Sequence, residues 1–155
     1  MEHVKKLYSD KDLAIMRTAD HARLMGNNRV NELINFAEKS GIKKIGIAYC
    51  VSMQKEAMQL KERLEQKFEV VAADCKISKI KSAELFDDEK YHGISCNPAE
   101  QADVLSKNNT ELNISFGLCM GHDIVFNSKS NALTTTLIVK DRQHKHNTFK
   151  EFQDI

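Results

Sequence analysis

No stretch of this chain approaches the roughly 20 consecutive apolar residues that a membrane helix requires, so a bilayer is not an expected partner. The amino terminus, Met1-Glu2-His3-Val4-Lys5-Lys6, leads into no apolar segment and does not read as a secretory signal. Neither sign of charge is in surplus. The 23 basic and 22 acidic residues leave a net charge of +1. Non-specific nucleic-acid binding needs a basic excess, so nucleic acid is not an expected partner either. There is no glycine-rich phosphate loop, hence no indication of a nucleotide. No C-x-x-C pair, internal repeat, low-complexity tract or domain boundary is evident. These absences make a cytoplasmic location the expectation. There, four cysteines are packing residues, metal ligands or reactive thiols rather than a disulfide framework.

What is present suits a single α/β domain over residues 1–155. The chain is 41% apolar and 29% charged, enough for a substantial core. Residues 1–40 carry helical spacing. Asp10 or Asp12 is placed to cap a helix bearing Leu13, Ile15, Met16, Ala19 and Ala22. Gly26-Asn27-Asn28 breaks the pattern, and Val30, Leu33, Ile34 and Ala37 form the stripe of a second helix ending at Ser40-Gly41. The period then changes. Lys44 to Cys50 reads as a strand, Met53, Ala57, Leu60 and Leu64 as a helix stripe, and Phe68 to Cys75 as another strand. Strand, helix, strand at this spacing predicts a parallel βαβ unit. A short helix is expected near Ala83–Phe86. Asn97-Pro98-Ala99-Glu100 predicts a capped helix start. Leu112 to Cys119 and Thr134 to Lys140 predict two more strands, with a short helix after His122. The expected fold is a three-layer, Rossmann-like domain of four or five mainly parallel strands, with the two amino-terminal helices packed on the sheet.

Each predicted strand ends in chemistry. Cys50 ends the first, Cys75 the second, followed by Lys76, and Cys119 the third, followed by Gly121-His122-Asp123. The fourth ends at Lys140-Asp141-Arg142, and Cys96 stands just before a helix start. The cysteine gaps of 25, 21 and 23 residues match one strand-plus-helix unit, so parallel units return a cysteine to one sheet edge each time. Open α/β sheets bind ligands at the carboxyl ends of their strands. Four thiolates suit zinc or an iron–sulfur cluster, with His122 as a substitute ligand. A competing pattern uses the same residues. Gly117-Leu118-Cys119-Met120-Gly121 matches the strand-to-helix elbow that presents a nucleophile. Asp141 and then His144 or His146 follow in triad order, giving Cys119 as nucleophile, His146 as base and Asp141 as its orienter. Lys76, Lys140 and Arg142 could instead hold a small anion with helix amino termini, without catalysis. A metal ion or a small anionic ligand is thus the expected partner, and homo-oligomerisation stays open.

These residues also resemble a known family, the uncharacterised metal-binding proteins of domain-of-unknown-function family 1847. The resemblance runs from near Arg29-Val30-Asn31-Glu32 to Asn147. It is carried by Ile45-Gly46-Ile47-Ala48-Tyr49-Cys50, Cys75-Lys76, Cys96-Asn97-Pro98 with Gln101-Ala102, Asn113-Ile114, Gly117 to Asp123, and Val139-Lys140-Asp141-Arg142 with His146-Asn147. It implies metal binding and no established reaction. Besides the cysteines, the family pattern holds Asn97, His122, Asp123, Lys140, Asp141, Arg142 and His146. Asn97 and Asp123 are expected to support the site from behind, Asp123 or Asp141 by orienting a histidine. Members often begin with a cysteine-rich segment containing a C-x-x-C pair, whereas this chain has no cysteine before Cys50. Thr148 stands where the family has proline.

Overall fold

The computed structural model describes residues 1–23 and 28–153. Its contacts fall into two compact units, Met1–Lys43 and Lys44–Ile155.

The first unit contains α1 (Glu2–Lys5), α2 (Asp10–Ala22) and α3 (Arg29–Lys39). The latter two are the expected helices, and they pack on each other. The cap of α2 differs from expectation. Ser9 Oγ accepts from Asp12 N at 3.1 Å, while the Asp12 carboxylate accepts from Ser9 N at 2.8 Å. Asp12 is therefore the acidic half of a reciprocal capping box, and Ser9 is the cap. Asn28 caps α3 by accepting from Asn31 N. Gly41, at φ +71°, follows the last turn of α3 as the left-handed residue. Gly26 and Asn27, part of the expected break, lie outside the described residues.

The second unit alternates strand and helix: β1 (Lys44–Tyr49), α4 (Gln54–Leu64), β2 (Glu69–Asp74), α5 (Ser82–Phe86), α6 (Pro98–Lys107), β3 (Leu112–Phe116), α7 (Met120–Lys129) and β4 (Leu133–Ile138). The strands form one sheet in the order β2-β1-β3-β4, and all three pairings are parallel. Right-handed crossovers in this order send α4 to one face and α6 and α7 to the other. Accordingly α4 packs on β1 and β2, while α6 packs on α7 and on the same two strands from the opposite side. The result is the Rossmann-like three-layer arrangement. Ala48, Ala73, Ala102, Leu105, Leu118 and Phe126 make the buried core on the α6–α7 face. Gly46 allows α6 to close down. A Cβ there would lie 2.4 Å from Asn113 Oδ1 and 2.8 Å from Leu105 Cδ1. By strand alternation Ile45 and Ile47 face the other layer, where α4 buries Ala57, Leu60 and Leu64.

Two boundaries move, and both shift site residues. β4 stops at Ile138, which leaves Lys140 in the following loop. α7 starts at Met120 with Cys119 as its N-cap, so His122 lies inside the helix rather than before it. Between β1 and β3 the winding direction reverses. In open parallel sheets such a reversal opens a crevice at the carboxyl edge.

Candidate functional site

With every strand parallel, all carboxyl ends share one edge. Cys50 directly follows β1 and Cys75 directly follows β2. The loop after Cys75 returns to deliver Cys96 just ahead of α6, and Cys119 caps α7.

Cys50 is the most heavily engaged sulfur. Lys140 Nζ donates to its Sγ at 3.1 Å and also to Ser52 Oγ at 2.6 Å, and Ser52 Oγ lies 3.2 Å from the same sulfur. Burial pushes the Cys50 thiol up. The Ser52 hydroxyl, the Ser52 backbone N–H and the Lys140 ammonium together outweigh it, and the net result is a thiol lowered to about 7. Near neutrality it is therefore partly thiolate.

Cys75 behaves oppositely. It is 2% exposed. Val51 N donates to its Sγ at 3.5 Å, which sets this sulfur against the peptide immediately after Cys50. Burial, and then the hydrogen bond and proximity of Cys96 and the proximity of Cys50, push it up to about 12 despite the Val51 N–H. It is a neutral thiol. Cys96 is tied to it twice, through the thiols and through the next residue, where Asn97 N donates to Cys75 O at 2.8 Å.

Asn97 caps α6 by accepting from Glu100 N at 3.1 Å. Glu100 answers the Asn97 side-chain amide at 2.9 Å rather than the Asn97 backbone, because that backbone N–H is used on Cys75. The helix start is thereby fastened to the end of β2.

Cys119 accepts from Arg142 Nη2 at 3.3 Å. In the glycine elbow the left-handed residue is Gly117, at φ +66°, where a Cβ would come within 2.1 Å of Met53 Sδ. Cys119 itself is relaxed, at φ −60° and ψ 152°. Asp141 and His146 do meet, but by backbone. Asp141 N donates to His146 Nδ1 at 3.0 Å, and the Asp141 carboxylate accepts from His144 N at 3.0 Å. The His144 N–H holds that carboxyl below its ordinary value against burial, with the Thr148 hydroxyl adding to it. An Nδ1 that accepts places the neutral imidazole's proton on Nε2, which makes the free end of His146 a donor. Among the described residues no hydrogen bond joins His146 to Cys119.

His122 sits beside Lys76. Burial first, and the Lys76 ammonium second, lower its pKa, so it is neutral at pH 7. The Lys76 ammonium donates to Ile94 O. Asp123 accepts from the Ser115 hydroxyl, which pins α7 to β3, and from Asn127 Nδ2 within α7, and among the described residues it hydrogen-bonds to no histidine. A cleft of about 570 Å³ opens next to the Cys50 site, lined by Ser52, Glu56, Val139, Lys145 and His146 among others.

Two contributors were not foreseen from sequence. Ser52 is one. The other is Gln101, fully buried, whose Nε2 donates to Tyr49 O at 3.2 Å and to Ala73 O at 2.8 Å. It clasps the ends of β1 and β2 just behind Cys50 and Cys75. Its Oε1 has no hydrogen-bond partner among the described residues. The available signal was a polar residue placed between Pro98 and Ala102, on the buried stripe of α6.

The donor chemistry of four cysteines suits a soft metal, but the placement does not. Among the described residues, which include all four cysteines and His122, no three or more His, Cys, Asp or Glu side chains are grouped to hold a metal ion. Ammonium and guanidinium groups occupy the Cys50 and Cys119 sulfurs instead. Among the described residues no helix is long and apolar enough to cross a membrane.

The family model described as protein of unknown function (DUF1847) matches residues 1–137. An uncharacterized protein of Methanocaldococcus jannaschii, MJ0455, is 39% identical over 152 residues, which is 96% of this chain and 78% of that protein. No solved structure matches the chain.

Proposed function

This chain belongs to the DUF1847 family, and on that premise we propose that it carries out thiolate chemistry on a small anionic molecule, with Cys50 as the nucleophile and Lys140 as its counter-ion. One observation carries this reading: Lys140 Nζ and Ser52 Oγ converge on the Cys50 sulfur, at 3.1 and 3.2 Å. A thiolate is the reactive form of cysteine, and an adjacent cation is the usual means of making one at neutral pH. Arg142 and Lys76 add positive charge along the same edge, and the cleft beside Ser52 offers room for a substrate. Cys119, the nucleophile of the competing sequence pattern, has a relaxed backbone and, among the described residues, no imidazole hydrogen-bonded to it. As nucleophile it is replaced by Cys50.

The test is alkylation of the reduced full chain by limiting iodoacetamide at mildly acidic pH, with the label located by peptide mass spectrometry. Cys50 should be modified first. Preferential labelling of Cys96 or Cys119 would remove the basis of the proposal.

A second reading keeps the metal. The Cys75 thiol is hydrogen-bonded to that of Cys96 and lies beside the Cys50 peptide, so a modest turn of Lys140 and Arg142 away from sulfur would free thiolates for a zinc ion or an iron–sulfur cluster. Elemental analysis of protein purified without oxygen distinguishes the two. About one metal per chain favours this second reading, and a metal-free protein with a fast-alkylating Cys50 favours the first.

A further inference from the structure

β1 and β2 pair in parallel with Tyr49 opposite Asp74, and Cys50 and Cys75 are the next residue on each. Neighbouring strands lie ~4.8 Å apart, inside the ~4.4–6.8 Å between Cα atoms that a disulfide spans. The Cys75 sulfur already rests on the Val51 N–H, the peptide that begins at Cys50. Gln101 holds the two strand ends to a common point through Tyr49 O and Ala73 O. The two sulfurs differ in access. Cys50 is 9% exposed and flanked by exposed Val51 and Ser52, whereas Cys75 is 2% exposed. An external oxidant therefore meets Cys50 before Cys75, and the half-buried Cys96, hydrogen-bonded to Cys75, offers the competing route.

We infer that Cys50 and Cys75 form a dithiol–disulfide couple that a small-molecule disulfide oxidises through Cys50. This rests on the reading of Cys50 as the reactive thiolate. The Cys50 thiolate attacks one sulfur of the small disulfide. The S–S bond of that molecule breaks, one half leaves as a thiolate, and a mixed disulfide remains on Cys50. Cys75 then attacks the Cys50 sulfur, gives its proton to the second departing thiolate and closes the protein disulfide. In sum, two protein thiols are oxidised and one small disulfide is reduced to two thiols. The product ties the ends of β1 and β2 covalently and takes the anion away from Lys140. Cys96, hydrogen-bonded to Cys75, is the competing partner. It does not carry the Lys140 and Ser52 contacts that mark the entry point.

The experiment uses the reduced full chain and oxidised glutathione, with free thiols counted and disulfides mapped by mass spectrometry. The couple predicts loss of two of the four thiols and a linked Cys50–Cys75 peptide, with no lasting glutathione adduct. Cys75→Ser should arrest the reaction at a Cys50–glutathione adduct, and Cys96→Ser should react as the unaltered chain does. A lasting adduct on Cys50 in the unaltered chain overturns the couple and leaves Cys50 as the reactive thiolate. A Cys75–Cys96 linkage also overturns it. Absence of any reaction at Cys50 overturns the couple and the proposed nucleophile together. The map of the unaltered chain decides by itself if a serine variant fails to fold.

Discussion

Replacing Lys140 with methionine keeps an unbranched side chain, one heavy atom shorter, and removes its charge, and the consequence for Cys50 can be worked from one distance. Two unit charges 3.1 Å apart interact by about 1.3 kcal/mol even at the dielectric constant of water, and by more where solvent is partly excluded. Since ~1.4 kcal/mol is one pH unit, Lys140→Met should raise the Cys50 midpoint from about 7 to roughly 8 or above. At pH 6.5 the thiolate fraction would fall from about a quarter to about 3%. The alkylation rate falls by less. A more basic thiolate is also a better nucleophile, with a Brønsted slope of about 0.4–0.5, so the net loss is roughly three-fold.

The pH dependence of alkylation is therefore the sharper measurement. The rate of Cys50 modification is followed by mass spectrometry from pH 5 to 10, and the midpoint is read directly. Lys140→Arg, which keeps the charge, should leave the midpoint near 7. An unmoved midpoint in the methionine variant, or equal shifts in the methionine and arginine variants, would show that the ammonium does not set the state of Cys50.

Two further outcomes follow from the same geometry. The first is the pH dependence of stability. Cys50, lowered in the fold from 9.0 to about 7, contributes stability that is present above pH 9 and lost as pH falls through 7. Cys75, raised to about 12, contributes stability that is present below pH 9 and lost as pH rises toward 12. The gap between the unaltered chain and Cys50→Ser in urea unfolding should widen from pH 7 to 9, and the gap to Cys75→Ser should narrow above pH 9. Opposite slopes would contradict the assigned states. The second concerns Gln101→Leu, which strips a buried donor from two main-chain carbonyls and should cost about 2 kcal/mol or more. A change below ~0.5 kcal/mol in urea unfolding would mean that the clasp contributes little.

The sheet was legible because its signals are local. β1 shows its burial as the apolar run Ile45 to Tyr49, β3 keeps Leu112, Ile114 and Phe116 at alternate positions, and the cysteine spacing reports the length of a crossover. Parallel order then required only the handedness rule. The cap of α6 was legible for the same reason, since Asn97, Pro98 and Glu100 act within one turn. Pairing among the site residues was not, because it depends on segments with no period. Lys140 belongs to the loop after β4, at the sheet edge, yet it reaches past β3 to the end of β1. Had β4 run on through Lys140, ladder geometry would have fixed that side chain against the sheet. Its early stop at Ile138 releases the chain to cross the edge. The same release brings Arg142 to Cys119 and turns the Asp141 backbone, rather than its carboxylate, toward His146. Sequence order therefore suggested a triad on Cys119 and a ring of equal thiols. The loop conformation makes the thiols unequal. One cysteine is held by an ammonium and a hydroxyl and is lowered to about 7, and its strand neighbour is more deeply buried and neutral. On the proposed reading, that inequality makes Cys50 the sulfur that reacts first and leaves Cys75 to follow it.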